Sequence, residues 1–143
     1  MRRQAPGYET PFELVDYKVI VGQREGEAPF ADASIKIRVR GELVHTAAEG
    51  NGPVSALDAA LRKALSGAHP GVHAIRLADY KVRILDGEAG TSATVRVLVD
   101  SACGDETWTT VGASSNVLEA SWQAIADGIE YGLARVAEKG AAA

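Results

Sequence analysis

Few side chains in this 143-residue sequence are equipped for acid–base or nucleophilic chemistry. The histidines are His45, His69 and His73, and Cys103 is the single cysteine. His69 and His73 have the i, i+4 spacing that would put two imidazoles on one helix face as metal ligands. Pro70 and Gly71 lie between them and break such a helix, so both read as solvated loop residues. Neither H-x-H nor H-E-x-x-H occurs. His45 falls in an alternating apolar segment and reads as a packing or hydrogen-bonding residue rather than a base. Cys103 sits in the turn Ala102-Cys103-Gly104-Asp105, with no cationic neighbour and no helix start to lower its pKa. A lone thiol excludes an intrachain disulfide and a Cys-based zinc site, and fits the reducing cytoplasm. There is no G-x-S-x-G elbow and no Walker loop. No catalytic residue, metal or cofactor is therefore expected; a small enzyme built on His45 or Cys103 is the disfavoured rival.

The loops offer binding chemistry instead. Gly50-Asn51-Gly52-Pro53-Val54 ends an extended segment and delivers free backbone N–H groups at a helix start, where the unpaired donors and the helix dipole attract a carboxylate. The glycines let a ligand approach the backbone. Ser114-Ser115-Asn116-Val117 is a second polar helix start. Paired starts beside apolar strands would suit a zwitterion with a branched hydrocarbon side chain. Plain helix capping is the competing reading at both.

The elements that must position these loops come in two copies. Leu14-Val15-Asp16-Tyr17-Lys18-Val19 recurs as Leu77-Ala78-Asp79-Tyr80-Lys81-Val82, with five of six positions identical at a spacing of 63. Ala33–Val39 then lines up with Ala93–Val99 at a spacing of 60, which implies a shorter turn in the second copy. Alternation at Val15, Tyr17, Val19 and Val21 predicts a half-buried strand, as it does at Ile35, Ile37 and Val39; Leu43–Ala47 is a weaker third. Tyr80/Val82/Ile84, Val95/Val97/Val99 and Thr107–Val111 repeat the set. Each copy closes with a helix. Pro53 opens the first, whose stripe is Val54, Leu57, Leu61, Ala64 and Leu65. Asn116 with Glu119 reads as a capping box before Leu118, Trp122, Ile125, Ile129, Leu133 and Val136. The expected fold is α+β: two β-β-β-α repeats related by a pseudo-two-fold, with helices packed on antiparallel sheets. Residues 1–11 are expected to be flexible, 12–66 and 74–136 to be the repeats, 67–73 the linker, and 137–143 a loose tail.

Composition narrows the partners. The net charge of −4 gives no electrostatic footprint for nucleic acid or an anionic membrane. No apolar run approaches the roughly 20 residues a bilayer demands. Arg2-Arg3 has no apolar stretch behind it, so the N-terminus does not read as a signal peptide.

The segment Val44–Leu61, centred on Gly50-Asn51-Gly52-Pro53-Val54-Ser55-Ala56-Leu57, resembles the C-terminal regulatory domain of the 2-isopropylmalate synthase and citramalate synthase family. Asp79–Asp86, Trp108–Gly112 and Asn116–Ala124 are more similar to the citramalate synthase branch. The resemblance covers about residues 12–135. It implies a homodimeric allosteric domain that binds isoleucine, or alternatively leucine, at the dimer interface and restrains a catalytic (β/α)8 barrel, in the same enzyme or in trans. By position it implies effector contacts from Gly50, Asn51, Gly52, Pro53, Val54 and Ala56, from Asp86, Gly90, Thr91 and Ala93 in a hairpin, and from Asn116 and Val117. A dimerisation module without an effector is the alternative.

Overall fold

Two turn signals set the architecture. Arg40-Gly41 and Gly104-Asp105 each leave two residues between paired strand ends, Val39↔Glu42 and Cys103↔Glu106. Arg40 (φ 51°), Gly41 (φ 82°) and Gly104 (φ 61°) take the left-handed conformation that tight hairpins require. The computed structural model describes residues 11–85 and 94–142. Its strands are β1 (Glu13–Gly22), β2 (Phe30–Val39), β3 (Glu42–Gly50), β4 (Arg76–Leu85), β5 (Thr94–Cys103) and β6 (Glu106–Ser114). The helices are α1 (Pro53–Leu65) and α2 (Val117–Ala142), and a 3-10 turn, Pro70–Ala74, links the repeats. The strands form two antiparallel sheets, β1-β2-β3 and β4-β5-β6. This is the α+β, twice-repeated β-β-β-α fold the periodicities predict.

Each helix is fastened to the third strand of its own repeat. Thr46 Oγ1 donates to the Ala60 carbonyl (2.8 Å), and Thr110 Oγ1 donates to the Ala124 carbonyl (2.6 Å). Both partners in the second bond lie 64 residues after those in the first. The inner-face rows Tyr17–Ile35–Thr46 and Tyr80–Val99–Thr110 obey the same correspondence for β2 and β5. This corrects the spacing of 60: Ile35 matches Val99, not Val95, and the β4–β5 connection is the longer one. Alternating strands look alike after any even shift; the hairpin turn fixes the register.

β1 and β4 share a bulge immediately before their Asp-Tyr-Lys motifs, between Leu14 and Asp16 and between Leu77 and Asp79. Val15 falls in the first of these and is exposed, as is Val21 at the strand's far end; only Tyr17 and Val19 of the predicted inward set meet the core. The helix stripes fare as the spacing predicts except at the ends of the second, where Leu118 and Val136 are half-buried. Val54, Leu57, Leu61, Ala64 and Leu65 are buried on α1, and Trp122, Ile125, Ile129 and Leu133 on α2. They share one core with Ile35, Ile37, Val97 and Val99, so the repeats are halves of one unit.

Close approach of α2 depends on missing side chains. A Cβ on Gly112 would lie 2.0 Å from the Ala120 carbonyl oxygen. Trp108 Nε1 donates to the Gly128 carbonyl (3.0 Å), and its ring packs on Tyr131 at 5.1 Å. His69 is not the solvated loop residue expected: Nε2 lies 3.2 Å from the Pro11 carbonyl oxygen and ties the linker to the start of the first repeat. Among the described residues, no helix is long and apolar enough to cross a membrane.

Candidate effector site at the start of α1

β3 runs directly into the first turn of α1. Gly50 has no room for a side chain, since a Cβ there would sit 2.7 Å from the Ala56 nitrogen and 3.0 Å from the Ser55 carbonyl carbon. Gly52 is the N-cap in extended conformation (φ −170°, ψ 172°), and the Ala56 N–H closes the first turn on its carbonyl at 3.0 Å. Pro53 has no N–H to satisfy, and its fixed φ suits the first helical position. The Val54 and Ser55 N–H groups have no intrahelical acceptor by helix geometry, and no side chain caps this helix. The first turn also lacks an acidic residue. Among the described residues these two donors at the positive end of the helix dipole have no acceptor, an arrangement that suits an anion.

The start of α2 is built differently. Asn116 Oδ1 accepts from the Leu118 N–H (2.8 Å) and the Glu119 N–H (3.3 Å). Its own N–H donates to Ser114 Oγ (3.1 Å) rather than to Glu119, so the predicted capping box is formed on one side only.

The repeats are crossed: the first strand of each stands beside the helix start of the other. Tyr17 of β1 stacks on Trp122 of α2 with ring centres 6.0 Å apart, and Phe12 meets the same indole edge-on at 6.4 Å. Burial raises the Tyr17 phenol pKa above its ordinary value, and the nearby Glu119 charge raises it further. In the other half, a Cβ on Gly52 would lie 4.0 Å from the Tyr80 hydroxyl. By the 64-residue correspondence, the α1 residue matching Trp122 is Asp58. Its side chain turns away to Arg62, with Nε and Oδ2 at 2.8 Å. No indole covers β4, and its inner-face residues Tyr80, Val82 and Ile84 remain 39%, 46% and 68% exposed. Tyr80 thus brings an exposed apolar face to the edge of a helix start whose Val54 and Ser55 N–H groups have no acceptor among the described residues.

The LeuA allosteric (dimerisation) domain model matches residues 1–133. The chain belongs to this family. It is similar to (R)-citramalate synthases: 62% identical over 101 residues to that of Synechocystis sp., covering 71% of this chain and 18% of the relative. Identity is 48% over 130 residues to that of Aquifex aeolicus, covering 90% and 25%. For Geobacter sulfurreducens it is 44% over 134 residues, covering 93% and 25%. The chain therefore spans about a quarter or less of these relatives, and it matches their C-terminal part.

Within this family domain, Gly50, Asn51, Gly52, Pro53, Val54 and Ala56 form one continuous corner, as their adjacency requires. Asn116 and Val117 lie at the other helix start, where Asn116 is engaged in capping and Val117 is exposed. The hairpin residues Asp86, Gly90, Thr91 and Ala93 lie outside the described residues. His45 points outward from β3 opposite Lys36, and among the described residues no cluster of three His, Cys, Asp or Glu exists. In the sequence Tyr80, Val82 and Ile84 show only the alternation of an ordinary strand. The signal that finds them is the inequality of Trp122 and Asp58 at matching helix positions.

Proposed function

We propose that this domain binds a branched-chain amino acid, isoleucine in preference to leucine, and that it does so for feedback control of an acyl-CoA/2-oxoacid condensing synthase. The observation carrying this reading is the open Tyr80–Val82–Ile84 shelf beside the uncapped start of α1. The α-carboxylate takes the Val54 and Ser55 N–H groups, and the hydrocarbon side chain lies on the shelf. Membership of an allosteric domain family and similarity to citramalate synthases support the choice of ligand class. The preference for isoleucine rests on those relatives, because one branching position is worth only about 1–3 kcal/mol in an apolar pocket.

The working assembly in this reading is a cytoplasmic homodimer whose catalytic (β/α)8 barrel lies elsewhere in the full-length enzyme or acts in trans. Neither nucleic acid nor membrane is a partner. The same exposed strip also favours a second reading, a dimerisation module with no effector, in which a second copy alone covers β4. Calorimetric titration with isoleucine, leucine and valine, alongside sedimentation, separates the two. A folded dimer giving no heat and no thermal shift with any of the three rules out the effector reading.

A further inference from the structure

The two walls of the open shelf belong to different repeats: the start of α1 to the first, β4 to the second. Their spacing is governed from a point further along α1. Asp58 and Arg62, one helical turn apart, form an ion pair whose side chains are only 13% and 20% exposed. The Arg62 guanidinium extends beyond it, and Nη1 donates to the carbonyl oxygens of Val72 (3.3 Å) and Ile75. Val72 lies in the 3-10 turn, and Ile75 is the residue immediately before β4; both are fully buried. From the other side the linker is pressed by α2. A Cβ on Gly71 would meet Val136 Cγ1 at 2.9 Å, and one on Gly132 would meet Ile75 Cδ1 at 2.6 Å. The chain thus enters β4 with its carbonyls held by one helix and its side chains by the other. At the matching positions of α2 the residues are Trp122 and Ala126, which cannot form such an ion pair.

We propose that Asp58–Arg62 is a positioning pair: by holding the Val72 and Ile75 carbonyls it sets where β4, and therefore Tyr80, stands relative to Gly52. Asp58 aims the guanidinium, and the planar fork spans a carboxylate and two carbonyls at once, which a lysine ammonium does not reproduce. The consequence for ligand affinity rests on the effector reading above. The geometric claim has a test that needs no ligand.

Hydrogen exchange read by mass spectrometry on the whole chain compares the natural protein with R62Q, the R62Q/D58N double variant and R135Q. The double variant removes the grip without leaving a buried carboxylate unpaired, which keeps the fold intact. R135Q removes a more exposed two-bond pair, Arg135 to Glu106 at 3.0 Å for both bonds with side chains 37% and 33% exposed, which joins β6 to α2 rather than α1 to the linker. A hydrogen bond from a charged donor corresponds to about a tenfold factor in a local opening equilibrium. Amides of residues 70–80 should exchange about that much faster in both Arg62 variants and not in R135Q, and R62K should not restore protection. Isoleucine affinity should fall in parallel. Unchanged exchange in the double variant, or an equal rise in R135Q, overturns the proposal whether or not any amino acid binds. If the exchange result holds while the natural protein binds no amino acid, the positioning role stands and the effector reading falls.

Discussion

Replacing Gly50 by alanine tests whether the corner between β3 and α1 is as tight as it stands. The added methyl would sit 2.7 Å from the Ala56 nitrogen and 3.0 Å from both the Ser55 carbonyl carbon and Cβ. The two nearest of these atoms are backbone, so no side chain can swing aside; the helix start itself must move. Overpacking of this sort costs about 1–3 kcal/mol. For a domain of this size each kcal/mol lowers Tm by about 2–4 °C, giving a fall of about 2–12 °C in thermal unfolding. Gly52→Ala is the matched control. Gly52 has an extended backbone that any residue adopts, and its methyl would meet only the Tyr80 hydroxyl at 4.0 Å. That change should cost about 0.5–1 kcal/mol, because alanine is a poorer N-cap than glycine, with no steric penalty added. It should nonetheless weaken isoleucine binding, because the methyl projects toward the shelf. Equal stability of the two variants would refute the steric account of this corner.

Three further outcomes follow from the same geometry. Trp122→Ala removes the indole between Phe12 and Tyr17 and should cost about 3–5 kcal/mol in urea unfolding, with loss of near-ultraviolet circular dichroism. Asn116→Ala abandons the caps on Leu118 and Glu119 and should cost about 1 kcal/mol, while the same substitution at the exposed Asn51, which caps nothing, should be close to neutral in stability. Burial outweighs the Arg62 charge and raises the Asp58 carboxyl above its ordinary 3.8, so the native state holds this proton more tightly than the unfolded chain does. The stability this group contributes is then fully present below 3.8 and is lost as pH rises through its raised value. Asp58→Asn should remove that component, so the stability difference between variant and natural protein should change across this window. A difference that stays constant with pH would show that Asp58 titrates normally.

The helices and the duplication were legible because a stripe such as Leu57, Leu61 and Leu65 can bury only one way. The register was less so. Ile35 and Val95 look equivalent in sequence, and only the Arg40-Gly41 and Gly104-Asp105 turns show that Val99 is the match. The bulge at Val15 was hidden for a similar reason: one inserted apolar residue leaves the alternation visible while moving a side chain off the core face. Alternation at Tyr80, Val82 and Ile84 correctly marks an apolar face but carries no information on whether anything lies over it. At Tyr80 and Val82 that depends on Asp58 and Trp122, residues far from β4 in sequence, and on knowing which turns of the two helices correspond; Ile84, like its counterpart Val21, is exposed at the far end of its strand.

Trp122 and Asn116 together determine a count. A duplicated fold with crossed strands offers two equivalent places where the first strand of one repeat meets the helix start of the other. Had both remained empty, each chain would saturate with two ligand molecules and the two sites would compete or cooperate through a shared core. The indole fills one of them permanently, with the protein's own side chain as occupant. A titration should therefore end at one amino acid per chain, and Trp122→Ala, where it remains folded, should leave that end point at one, because Asn116 still takes the Leu118 and Glu119 N–H groups at the start of α2.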